Sequence, residues 1–211
     1  MFVTDIIEVD KKRSKIYIDH EFAFVLYKGE LNSYQIKEGT EISQGDYEVI
    51  TKELLPKRAT KRAMNLLKER SYTKMQLVQK LKNNYYRDEY IETAISYVES
   101  YGYIDDLLYA SDFIAYRSSQ LSKRQIEQKL LQKGIESRII EQAFEGFYED
   151  GNIVEEEKQI RSFLEKKQYM LLDDEKKKQK LISSLLRKGF SLELIKKVSR
   201  TLADDFFEDY S

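Results

Sequence analysis

The chain has 211 residues, a formal net charge of −1, 35% charged and 41% hydrophobic residues, a single histidine and no cysteine. Thiol nucleophiles, cysteine-based zinc centres, disulfide frameworks and multi-histidine metal sites are thereby excluded. What fits is a folded, largely helical protein with a heavily charged surface, long enough for one large domain or two small ones.

The first 50 residues alternate with period two. "IIEVD", "SKIYID" and "FAFVLYKG" read as short strands within residues 2–30, separated by "DKKR" and "DH" turns. A short helix is expected around Ser33–Lys37, and Ser43 is placed to cap a helix starting at Gln44. Residues 1–50 thus form a small β-rich N-terminal segment. "MFVTDIIEVD" carries acids where a secretion signal would carry basic residues. Apolar runs such as Phe22–Tyr27 are too short to span a bilayer. A cytoplasmic monomer with no membrane segment and no cofactor is expected.

From about residue 50 the period becomes 3.6. "RAMNLLKER", "KMQLVQKLKNN" and "YIETAISYVESY" place Ala63, Leu66 and Leu67, then Leu77, Val78 and Leu81, then Ile91, Ala94, Ile95 and Val98 on helical faces. Shifting the sequence by 49 residues puts Thr73 on Ser122, Leu77 on Ile126, Ile91 on Ile140, Ala94 on Ala143, Gly102 on Gly151 and Ile104 on Ile153. A further shift of 55 puts Leu130 on Leu185, Gly134 on Gly189 and Ile140 on Ile195, with the six extra residues falling in "QYMLLDDEKKK". The predicted fold is mainly α: three tandem three-helix repeats at 51–103, 104–152 and 153–211, forming an elongated curved array behind the β-rich segment. The first helices of the repeats align less well than the second and third.

"YGYIDD" at 101–106 offers two adjacent carboxylates, but it falls at a repeat joint. There Gly102 suits a helix end at positive φ, Asp105 or Asp106 suits the cap of the next helix, and Ile104 suits an apolar staple. Leu55 is its equivalent before repeat 1, where Pro56, the only proline, suits a first helical turn.

Other motifs resolve in the same way. "SYTK" at 71–74 matches S-x-x-K without its partner motifs, and reads as a helix start capped by Thr73 or Ser71. "DDE" at 173–175 could ligate a hard cation but precedes a run of lysines, as a helix N-terminus would. No glycine-rich phosphate loop is present, and His20 lies in a turn between strands. Tyr85, Tyr86, Tyr90, Tyr97, Tyr101 and Tyr103 cluster near the end of repeat 1, where they pack helices or stack on bases.

Charge is uneven. Lys57–Tyr90 holds ten basic and three acidic residues, Lys166–Lys188 eight and three, and the tail "LADDFFEDYS" four acids. Basic faces on a neutral protein suggest a specific electropositive surface or plain solvation.

"SYTKMQLVQKL", "VESYGYIDDLLYASDFIAYR", "SKRQIEQKLLQKGI" and "IIEQAF" together resemble the RecX family of bacterial recombination regulators. The family's joint and following helix correspond to Gly102-Tyr103-Ile104-Asp105-Asp106, Ala110 and Arg117, and its I-x-x-x-L-x-x-K-G to Ile126, Leu130, Lys133 and Gly134. The resemblance covers about residues 55–211, and the β-rich segment resembles the extension of longer Gram-positive members. Repeat 1 departs from the pattern, with Tyr85 where the others have Gly134 and Gly189, and the chain ends soon after repeat 3.

The resemblance implies a non-enzymatic protein that binds the RecA filament on single-stranded DNA and restrains its recombinase, ATPase and coprotease activities. Arg117, Lys123, Arg124, Lys129, Lys133 and Arg138 in repeat 2, with Lys74, Lys80 and Lys82 in repeat 1, are the candidate partner- or DNA-binding residues. Direct binding of single- or double-stranded DNA and a general helical scaffold are the alternatives; an enzyme ranks last.

Overall fold

The computed structural model describes residues 1–151 and 155–208. The chain divides into two compact units, Met1–Asp105 and Asp106–Ser211.

In the first unit, β1 (Val3–Glu8), β2 (Arg13–Ile18) and β3 (Glu21–Tyr27) form an antiparallel meander in chain order. Asp19 and His20, both at positive φ, make the two-residue turn between β2 and β3. Helices α1 (Lys28–Ser33) and α2 (Gln44–Val49) follow. The short helix therefore comes earlier than Ser33–Lys37. It begins where the Tyr27 N–H donates to the Glu30 carboxylate, and it ends at Gln35 (φ 52°), with the Ile36 N–H donating to the Leu31 carbonyl. A non-glycine residue in that left-handed position hid the boundary. Ser43 caps α2, accepting from the Asp46 N–H at 3.0 Å.

Leu55 and Pro56 do not open a free helix end. A π turn (Ile50–Leu54) runs from α2 directly into α3 (Leu55–Glu69). The Leu55 N–H reaches back to the Ile50 carbonyl. The wide turn stands immediately before the residue that has no N–H to donate. Helices α4 (Lys74–Lys82) and α5 (Asp88–Ser100) complete the unit. Val3, Ile16, Phe24 and Leu26 of the sheet share one core with Ile50, Ala59, Leu77, Leu81, Ile91 and Val98 of the helices. The strands thus supply a wall of the first three-helix layer.

The second unit holds α6 (Asp106–Arg117), α7 (Lys123–Gln132), α8 (Ser137–Glu149), α9 (Glu156–Lys166), a 3₁₀ turn (Tyr169–Leu171), α10 (Glu175–Arg187) and α11 (Leu192–Glu208). One core gathers Ile114, Ile126, Leu130, Ile140 and Phe144; another gathers Ile160, Leu164, Leu185, Ile195 and Val198. The six extra residues divide between a longer connection at 167–174, against 118–122, and a 13-residue α10 against a 10-residue α7.

Buried pairs explain why the first helices align poorly. Ala59 and Ala63, Ala110 and Ile114, and Ile160 and Leu164 are each fully buried four residues apart. The offsets between these pairs differ from the 49 and 55 residues that align the later helices, so the first helices keep their own register.

Local chemistry sets the remaining boundaries. Thr73 and Ser122, both fully buried, form capping boxes with Gln76 and Gln125. Asp174 caps α10 through the Lys176 and Lys177 N–H groups, which accounts for "DDE". Gly102 stands at φ 66°, with its N–H on the Glu99 carbonyl and the Tyr103 N–H on that of Val98, the paired closure of a Schellman turn. Ile104 is 8% exposed within the first unit's core, and α6 starts at Asp106, leaving Asp105 at the cap position. Its counterpart Ile153 lies outside the described residues.

Tyr85 keeps the glycine geometry. Its φ is 65°, and the Tyr85 and Tyr86 N–H groups reach the Lys82 and Leu81 carbonyls, as the turns at Gly134 and Gly189 do with their own helices. A left-handed tyrosine costs about 1 kcal/mol. Tyr85→Gly should therefore raise stability by about 0.5–1 kcal/mol in urea unfolding; a loss of stability would show that the ring's contacts outweigh the backbone strain.

Candidate interaction surface

The six candidates of repeat 2 separate into groups. Tyr109, Phe113 and Arg117 stand one turn apart on α6. The Lys133 ammonium lies over the rings of Tyr109 and Phe113, at 5.6 and 5.7 Å from their centroids. The Arg117 guanidinium lies over Tyr116 at 4.7 Å and Phe113 at 6.0 Å, and donates to the Gln120 side-chain carbonyl at 2.7 Å. Arg117 and Lys133 thus meet around one phenylalanine. Such contacts are worth about 0.5–1 kcal/mol each at exposed sites and fix where the charge sits.

The other four lie elsewhere. Because α7 buries Ile126 and Leu130, Lys123 and Arg124 leave by one side of the helix and Lys129 by the other. Lys123 sits 5.1 Å from the Phe144 ring centroid and 4.0 Å from a Glu127 carboxylate oxygen, and its backbone N–H donates to Glu156. Arg124 packs beside Gly189. Lys129 and Arg138 are exposed. Around them the second unit pairs Arg161 with Asp205 at 2.7 Å and Lys197 with Glu157 at 2.6 Å, so its surface is of mixed sign. In α9 and α10, Lys188 lies over Phe163 at 4.2 Å, repeating the Lys133–Phe113 contact. The lysines of the Lys133-Gly134 and Lys188-Gly189 pairs are thereby each held by the first helix of their own repeat.

In the first unit, Lys74 pairs with Glu99 at 2.8 Å and Lys82 with Asp88 at 3.0 Å, whereas Lys80 is exposed. The six tyrosines divide in two. Tyr97, Tyr101 and Tyr103 remain exposed, their rings 4.8 and 5.9 Å apart in succession. Tyr85, Tyr86 and Tyr90 instead line a cavity whose cations include none of the three predicted lysines. Those cations are Arg13, Arg58, Lys61, Arg62 and Arg87. Sequence reading missed them because Arg13 arrives from the sheet; only the excess of basic residues over 57–90 pointed that way.

Repeated three-helix units, with capped starts and left-handed turns, define a class: helical-repeat proteins. Comparison with known proteins narrows the class. Residues 105–143 match the second three-helix domain of RecX and residues 155–198 the third. The chain is 33% identical to the regulatory protein RecX of Caldanaerobacter subterraneus subsp. tengcongensis over 199 residues, covering 93% of this chain and 98% of the relative. Against that of Clostridioides difficile it is 27% identical, covering 94% and 92%. A crystal structure of regulatory protein RecX superposes with a TM-score of 0.63 at 23% identity, covering 94% of this chain and 98% of that one. RecX from Lactobacillus salivarius gives a TM-score of 0.58 at 22% identity, covering 71% and 97%. The chain belongs to the RecX family.

Proposed function

We propose that the protein is a non-enzymatic, monomeric cytoplasmic regulator. It binds the RecA recombinase filament on single-stranded DNA and restrains strand exchange, ATP hydrolysis and the filament's coprotease activity. The observation that carries this reading is the relationship to proteins named regulatory protein RecX over nearly the whole chain. The mixed charge of the second unit favours a protein surface over naked DNA as the main contact, since a nucleic-acid face would be uniformly basic. Repeats at 51–103, 104–152 and 153–211 would each offer a modest contact, and avidity would come from their number. Arg117 is the leading contact residue, held outward on Phe113 and Tyr116.

Added to RecA on single-stranded DNA, the purified protein should slow ATP hydrolysis at sub-stoichiometric ratios and co-sediment with filaments. Arg117→Ala should weaken the inhibition several-fold while leaving the melting temperature within a few degrees. Unchanged hydrolysis without co-sedimentation would sink the reading. A mobility shift on naked duplex with a steep salt dependence would favour direct DNA binding instead.

A further inference from the structure

The cavity of the first unit lies where β2 and β3 meet α3 and the α4–α5 turn, with a volume of about 470 Å³. Five cationic side chains line it and no carboxylate does. Two acids answer them from outside the lining: Asp10 pairs with Arg13 at 2.8 Å, and Glu30 with Arg58 at 2.6 Å. Lys61, Arg62 and Arg87 form no ion pair with any described residue. Lys61, which is exposed, Arg62 and Arg87 border one concavity, Arg87 also donating to the Phe22 carbonyl at 3.2 Å, and like charges so placed favour an anion between them.

The remaining lining has a different chemistry. Tyr27, Tyr85 and Tyr86 present aromatic rings and Asn65 an amide that can donate and accept, whereas the Asn84 amide already accepts from Arg13 at 3.0 Å and donates to the Lys80 carbonyl at 2.8 Å. The Arg58 guanidinium is held over the Tyr27 ring at 5.1 Å and the Tyr86 ring at 5.9 Å, yet its buried Nε has no hydrogen-bond partner. Tyr90 is 4% exposed, and its hydroxyl also lacks a partner. Burial, with the Glu89 carboxylate beside it, pushes that phenol up to about 12. The strained backbone at Tyr85 sets its ring at the same rim, under the Lys15 ammonium at 4.2 Å.

We propose that this cavity binds a nucleoside phosphate: Lys61 and Arg62, with Arg87 beside them, take the phosphate, and the tyrosine rings and the Asn65 amide take the base. The volume falls in the range of small-ligand sites. Base stacking on aromatic rings and phosphate pairing with arginine need these residue types in this proximity. The same chemistry could be supplied by a free mononucleotide or by one nucleotide of a single strand. Binding at this cavity needs no RecA, and the test omits it.

The experiment titrates the full chain with adenosine monophosphate, a labelled oligothymidylate and inorganic phosphate, each at several salt concentrations. The Lys61→Gln/Arg62→Gln variant is compared with Lys80→Gln, which changes a basic residue outside the cavity. Lys61 and Arg62 make no ion pair among the described residues, so their loss should leave the fold intact, as circular dichroism would check. Loss of roughly tenfold or more in nucleotide or oligonucleotide affinity in the double variant, with Lys80→Gln unaffected, supports the site. For the strand, the slope of log affinity against log salt should also flatten by about 1.4. Displacement of the oligonucleotide by the mononucleotide at comparable concentration identifies the free nucleotide as the source; displacement only at great excess identifies the strand. Equal affinities in the double variant and the parent overturn the proposal, as does inorganic phosphate binding as tightly as both nucleotide probes.

Discussion

Gly189→Val should cost the second unit about 2–4 kcal/mol and lower its melting temperature by on the order of 10 °C. Two effects add. The backbone stands at φ 92°, a region a β-branched residue enters only under strain. A Cβ there would also fall 3.0 Å from both the Arg124 Cβ and the Ser122 Oγ, atoms close to the backbone that cannot swing aside. The displaced hydroxyl is the one that donates to the Lys188 carbonyl at 2.7 Å. Gly102→Val is the matched control. Gly102 has positive φ too, but nothing lies within 4 Å of its would-be Cβ, so only the backbone share of about 1–2 kcal/mol should appear. Thermal and urea unfolding of both variants would decide the matter. Equal costs would show that Arg124 and Ser122 yield freely.

Arg58→Ala should destabilise the first unit by about 3 kcal/mol. Its side chain is 15% exposed and that of Glu30 is 22%, so water only partly screens the pair. The same guanidinium donates to the Val25 carbonyl on β3 and covers the Tyr27 and Tyr86 rings. One side chain from α3 therefore ties the sheet, the short helix α1 and the α4–α5 turn. Removing it leaves the half-buried Glu30 carboxylate with the Tyr27 N–H but no cation, and takes the guanidinium's bond from the Val25 carbonyl. Glu30→Ala and the double variant would complete a thermodynamic cycle, with coupling of about 1–2 kcal/mol expected. A cost below about 0.5 kcal/mol for Arg58→Ala would mean that solvent replaces the contacts fully.

Where the chain's information is local, the sequence was readable. The alternation of "SKIYID", the caps at Ser43, Thr73 and Ser122, and the positive φ at Gly102, Gly134 and Gly189 each follow from a few neighbouring residues. The repeat emerged because Leu81, Leu130 and Leu185 hold equivalent buried positions on α4, α7 and α10. What stayed hidden depends on distant partners. Nothing near Arg58 announces Glu30 or Val25, and nothing near Lys133 announces that Phe113 will hold its ammonium. Tyr85 was misleading for the opposite reason: the turn is imposed by the helices around it, so the residue lost glycine while the geometry persisted. Of the candidate surface, only the Arg117–Lys133 pair came together as a group; the remaining lysines point along separate helix faces.

The α6–α7 turn borrows its hydrogen bonds from beyond its own repeat. The Ser118 and Leu121 carbonyls accept from the Gln159 amide, the Lys123 N–H donates to Glu156, and the Ser122 hydroxyl donates to the Lys188 carbonyl. Severing the chain after Gly151 would spare the apolar cluster around Ile126 and Leu130 and the Ser122–Gln125 capping box, yet leave the Ser118 and Leu121 carbonyls and the Lys123 N–H without these partners. Arg117 precedes the stretch 118–123 and Lys123 closes it. A nonsense mutation or a proteolytic nick that deleted only the last repeat would thus loosen the middle one where its charged side chains are aimed, and the modules could not be traded or shed as independent parts.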